Sequence, residues 1–155
     1  MDQKLLTWKA AVTAFFSAMG VALGWKGIMV LTWVALMAMD YITGTLGAMK
    51  EGIWCSKKAR EGAWHKCGAM IVVIVAAMTD GILLLVCGNL PVLNMHWPEV
   101  ILPLILAWYI LTELGSILEN AIRLGANPPA WLAGLLEAGR RMTEEAGKSA
   151  ADQIQ

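Results

Sequence analysis

The chain has 155 residues, of which 58% are hydrophobic and only 15% charged, and its formal net charge is zero. A soluble domain of this size would need more charge to cover its surface, so the composition points to an integral membrane protein. The balanced charge implies no long-range pull toward nucleic acid. The three cysteines, Cys55, Cys67 and Cys87, are odd in number and irregular in spacing, which excludes a disulfide framework.

The first apolar stretch is short. Between Lys9 and Lys26 lie 16 uncharged residues, and a helix over about 5–25 reaches spanning length if Lys9 snorkels. Lys4 and Lys9 before an apolar core also suit a signal peptide, but no clean small-residue cleavage site follows and another apolar run begins at once. The alternative for this segment is a helix lying at the interface.

The next run lies between Lys26 and Lys50, 23 residues whose one charge is Asp40. As a helix it is about 34 Å long, enough to cross hydrocarbon about 30 Å thick. A third stretch, about 67–89, again holds one charge, Asp80. Pro91 and Pro98 punctuate the link to a fourth stretch, about 100–122, with Glu113 central and Glu119 near its end. The remainder begins "NPPAWLAGLLEAGRR", where Asn127 can cap a helix that tolerates proline in its first turn. Leu132, Leu135, Leu136, Gly139 and Met142 share one face, and Glu137 with Arg141 and Glu144 with Lys148 are i,i+4 pairs in the favourable order. The expected architecture is an all-α integral membrane protein. Residues 1–126 form its transmembrane domain of four spans, or three if the first segment does not cross. Residues 127–155 form a cytoplasmic amphipathic tail that lies on the bilayer or packs on a neighbouring subunit.

Lys and Arg set the orientation. With four spans, eleven of the twelve fall on one side, in the amino terminus, the loop with Lys50, Lys57, Lys58, Arg60 and Lys66, and the tail. Lys26 is alone on the other side. The central basic loop and the carboxyl terminus are therefore expected in the cytoplasm.

Asp40, Asp80 and Glu113 each fall near the middle of a different span, with no lysine or arginine expected at that depth. A carboxylate there must face a bundle interior or water, and three crowded together cannot all ionise cheaply. Glu113, Ser116 and Asn120, together with Thr112, Ser116, Glu119 and Arg123, form adjoining strips on the last span, with Glu119 and Arg123 as an i,i+4 pair. These polar residues serve either as glue between helices or as the wall of an aqueous opening. Gly20 with Gly24, and Gly44 with Ala48, have the small-xxx-small spacing of close helix contacts and are candidates for oligomer packing.

No catalytic motif occurs: GxSxG, GxxxxGK[ST] and HExxH are all missing. Cys55, His65 and Cys67 fit no zinc spacing, so neither a metal nor a cofactor is expected, and the protein is not expected to be an enzyme. Five of the eight tryptophans, Trp8, Trp25, Trp54, Trp64 and Trp97, fall near span ends, as membrane-belt residues do.

Several short motifs in order resemble a known family. They are D-Y-I-T-G at Asp40 to Gly44, K-E-G at Lys50 to Gly52, the following Ser56, S-I-L-E-N at Ser116 to Asn120, Leu124-Gly125 and the proline-led tail. Together they span about residues 35–137 and resemble the bacteriophage holins of the toxin-secretion and phage-lysis type, a group that includes the clostridial toxin-export holin. Trp54-Cys55 stands where the family is expected to carry smaller polar residues. The resemblance implies a multi-pass protein of the bacterial cytoplasmic membrane that assembles as a homo-oligomer. It would open the bilayer so that a cell-wall hydrolase, or a toxin, leaves the cell, with no direct contact required. Two other readings stand beside it: a small ion channel or transporter using the intramembrane acids as sites, and a membrane anchor that docks partners through its tail.

Overall fold

The computed structural model describes residues 3–90 and 97–152, with side chains at position 7 and from position 24 onward, position 58 excepted. It is all-helical: α1 Gln3–Lys50, α2 Ser56–Asn89, α3 Ile101–Leu124 and α4 Ala130–Asp152.

α1 is two helices joined at a kink. Gly24 has φ 65 and ψ 179, a conformation open essentially to glycine alone. A Cβ on Gly24 would meet nothing within 4 Å, so the backbone and not crowding requires glycine there. The junction expected between the first two spans is thus a kink. The Gly20/Gly24 spacing does not read along one continuous helix face, because the helix breaks at Gly24; Gly20 itself lies outside the described side chains. The expected span over about 5–25 lies almost wholly outside them too.

Three helices are long and apolar enough to cross a bilayer among the described residues: Gly24–Lys50, Ala59–Asn89 and Ile101–Leu124. Burial agrees with a lipid surrounding. Ile71, Ile74, Val75, Ile82 and Leu85 are exposed, whereas Asp80, Glu113 and Asn120 are buried. That inversion is costly in water and natural in hydrocarbon, where polar groups turn inward for partners.

The second half of α1 runs parallel to α3, because their contacts advance together: Lys26 with Glu99, Trp33 with Tyr109, Asp40 with Asn120, Lys50 with Leu124. α2 runs antiparallel to both. α3 is the hub and packs on all three other helices, while α1 and α2 barely touch. The apolar core is correspondingly small, built from Trp33, Met37, Val73 and Leu106, with Tyr109 and Ile110 packed on it.

Between Lys50 and α2 the chain makes a tight turn, with Gly52 at φ 69. The expected basic loop is therefore mostly helix: Lys57, Lys58 and Arg60 fall in the opening turns of α2, and Lys66 lies well inside it. α3 ends in a left-handed Gly125, φ 104, whose successor Ala126 donates its N–H to Ala121 O at 2.9 Å. This arrangement stops a helix and turns the chain sharply. Two prolines follow, and α4 starts at Ala130, just after them rather than with them in its first turn. α4 folds back along α3, where Gly139 meets Leu111.

Candidate functional site

The three intramembrane acids divide into two places. Lys66 reaches into the span region from α2 and joins two of them: its Nζ lies 3.0 Å from Asp40 Oδ2 and 2.7 Å from Glu113 Oε2. All three side chains are largely shielded, and Glu113 is 8% exposed. Asp40 and Lys66 each stand about 15 Å along their helices from the basic end, at roughly 1.5 Å per residue. The expectation that no cation reaches this depth is corrected here. Charge counting ended the third span at Lys66, but α2 continues through it and carries the ammonium inward on its long stem. One basic side chain is shared by two acidic ones.

Asp80 serves a different purpose. Its Oδ1 accepts the indole N–H of Trp97 at 2.8 Å and the backbone N–H of Ile101 at 3.2 Å, and its Oδ2 accepts the N–H of Leu102 at 2.8 Å. Ile101 and Leu102 open α3, whose own N-cap Val100 provides no side-chain bond. Asp80 therefore caps α3 from another helix and meets the positive end of its dipole. Lys26 pairs with Glu99 beside it.

A polar seam runs from Asp40 toward the basic end. Asn120 Nδ2 donates to Asp40 Oδ1 at 3.0 Å and to Thr43 Oγ1 at 3.3 Å. Arg123 donates to Asn120 Oδ1 at 3.3 Å and grips Glu51 with two bonds, at 3.0 and 2.6 Å. The Glu119–Arg123 pair expected from spacing is not formed; Arg123 turns to Glu51, and Glu119 is exposed. Lys50 donates to Leu124 O at 2.8 Å and Arg123 O at 3.3 Å, capping the end of α3. Gly44 permits this approach within one chain, since a Cβ there would lie 3.4 Å from Asn120 Nδ2. Gly47 does the same against Arg123, at 3.5 Å from its Cζ. Gly44 thus has an intrachain task besides the oligomer packing expected of it, and Ala48 lines the neighbouring cleft.

That cleft opens where α1 and α2 part. It measures about 1080 Å³, and Asp40, Lys66, Glu113 and Ser116 lie on its wall, with Tyr41, Trp54, Trp64 and Trp108 around them. Asn120 is not on the wall but beneath it, bonded to Asp40. The cleft thus holds an ion cluster at span depth, bordered by small residues such as Gly44, Gly62 and Gly68 that leave room beside it. No group of three or more His, Cys, Asp or Glu side chains able to hold a metal occurs among the described residues. Sequence reasoning missed Lys66 as a partner, Glu51 and Gly47. The spacing of Gly44, Gly47 and Ala48 was the one available hint of a close helix approach there.

Comparison with known proteins gives a consistent result. A family model described as the bacteriophage holin family matches residues 17–140. An uncharacterized protein of Halalkalibacterium halodurans is 32% identical over 130 residues, covering 84% of this chain and 90% of its own. One from Listeria innocua is 28% identical over 128 residues, 83% of each chain. One from Clostridium perfringens is 31% identical over 103 residues, 66% of this chain and 68% of its own. No solved structure matches.

Proposed function

The chain belongs to the bacteriophage holin family, and we propose on that premise that it assembles in the cytoplasmic membrane of a bacterium and opens it to large molecules. The released cargo would be a cell-wall hydrolase, with host lysis as the outcome, or an exported toxin or other protein. The family match over residues 17–140 carries this reading. Three spanning helices cannot by themselves enclose a hole for a folded protein, so many copies must contribute polar walls.

The ion cluster supplies the part that changes. α2 barely touches α1 and is tied to the α1–α3 pair by Lys66 near mid-span and by Asp80 at the other end. Separating Lys66 from its two carboxylates would free the inner part of α2 and hydrate Asp40, Glu113 and Ser116, giving the opening a polar lining. Charge bias supports a cytoplasmic basic end: Lys50, Lys57, Lys58, Arg60 and Arg123 lie toward that end, against Lys26 at the other. A first span before Gly24 would bring the amino terminus to the same side.

Induced expression in bacteria, with membrane potential and a cytoplasmic reporter enzyme followed together, tests the reading. Delayed, abrupt depolarisation with enzyme release supports it. Depolarisation without enzyme release favours a small ion channel or transporter, the second reading, for which the Lys66–Asp40–Glu113 cluster would be the ion site.

A further inference from the structure

α4 raises a problem that the spanning helices do not. Its Gly139 sits where a Cβ would lie 3.1 Å from Leu111 Cδ1, and its Arg140 guanidinium lies 5.2 Å from the centre of the Trp108 ring. Leu111 and Trp108 stand about 20 and 24 Å up α3 from its Leu124 end, at about 1.5 Å per residue. Docked in this way, α4 stands at the depth of the spans. Yet it is not among the helices apolar enough to cross hydrocarbon.

Its surface is divided. Leu132, Leu136, Gly139, Thr143 and Gly147 follow the stripe turned to α3 and are partly covered. Trp131, Leu135 and Met142, next to that stripe, are 67%, 61% and 69% exposed. On the far side runs a charged strip, Glu137, Arg141, Glu144 and Lys148, internally paired by i,i+4 bridges of 3.3 and 3.1 Å. Lipid can accept the apolar flank at that depth but not the charged strip.

We propose that α4 stays docked on α3 in the assembled protein and turns this charged strip to a water-filled lumen enclosed by several copies, with Trp131, Leu135 and Met142 set against lipid. The inference rests on the release reading above and names the helix that wets the wall. The self-paired charges suit a lumen for passing proteins, because the strip offers water many hydrogen-bonding groups and little net charge.

The test uses full-length protein in liposomes, with Cys55, Cys67 and Cys87 replaced by alanine. In one variant, Leu111→Cys with Gly139→Cys, oxidation locks α4 to α3. The disulfide should form, and the oxidised protein should release entrapped dextran as well as its reduced form does. In separate single-cysteine variants, nitroxides at positions 141 and 148 should meet a water-soluble relaxant several-fold more often than nitroxides at 135 and 142, which should instead meet oxygen dissolved in lipid. The inference is overturned if the disulfide does not form, if locking abolishes release that the reduced form shows, or if the four positions are equally accessible. If neither wild-type nor locked protein releases dextran while the contrast between positions holds, the release reading fails and the placement of α4 on a water path stands.

Discussion

Asp80 and Glu113 are both buried acids in membrane-spanning helices, and they are satisfied in opposite ways. Asp80 is held by three neutral N–H donors, two of them backbone groups that need an acceptor wherever α3 begins. Glu113 is held by a cation that it shares with Asp40, beside a cleft. The first arrangement fixes a helix end and has little reason to change. The second joins three charges whose partnership depends on α2 staying in place, and it has a competing partner in water. A buried acid in a span is thus not by itself a functional site; its donors decide.

The most severe way to break the comparison is to remove the shared cation. Lys66→Met leaves two carboxylates near mid-span without a countercharge and should cost about 3–5 kcal/mol, read as a lowered unfolding midpoint in mixed micelles. Restoring shape and neutrality together, with Asp40→Asn and Glu113→Gln added, should recover most of the loss. At the other end, Asp80→Ala should cost about 1–2 kcal/mol through the lost cap, with faster hydrogen exchange confined to the first turn of α3 and a shifted Trp97 emission. If Asp80→Ala instead disturbed the cleft as strongly as Lys66→Met, the two acids would not be distinct. Gly24→Ala tests the kink, since φ 65 with ψ 179 excludes alanine. A strain of about 1–3 kcal/mol is expected, or a change in the angle between the halves of α1, visible in spin-label distances. Glu119→Gln should change stability by less than about 0.5 kcal/mol, because the side chain is exposed and Arg123 is held by Glu51.

The apolar runs and the charges between them were enough to read three of the four expected spans from the sequence, because hydrocarbon thickness ties helix length to apolar length; the remaining one, over about 5–25, falls almost wholly outside the described side chains. The motifs from Asp40 to the tail carried the family. What the sequence hid were partnerships. Lys66 ended a span by charge counting, yet a lysine about three turns inside a helix can extend to acids on its neighbours. Glu119 and Arg123 had favourable local spacing, but Glu51, distant in sequence, offers Arg123 a two-bond grip. Asp80 matched the other acids in composition and depth; its role depended on where α3 starts and on Trp97, just before α3, lying within hydrogen-bond reach. Such features lie between helices, where periodicity along one helix is silent.

The most direct test follows the onset of depolarisation and reporter release in cells expressing Lys66→Met, Glu113→Gln, the two combined, and Asp80→Asn, at matched protein levels. If the ion cluster governs opening, each single change at Lys66 or Glu113 shifts the onset, the combination lies closer to wild type than either, and Asp80→Asn keeps wild-type timing wherever it accumulates normally. Additive shifts from the two cluster changes, or wild-type timing in both, would contradict the account.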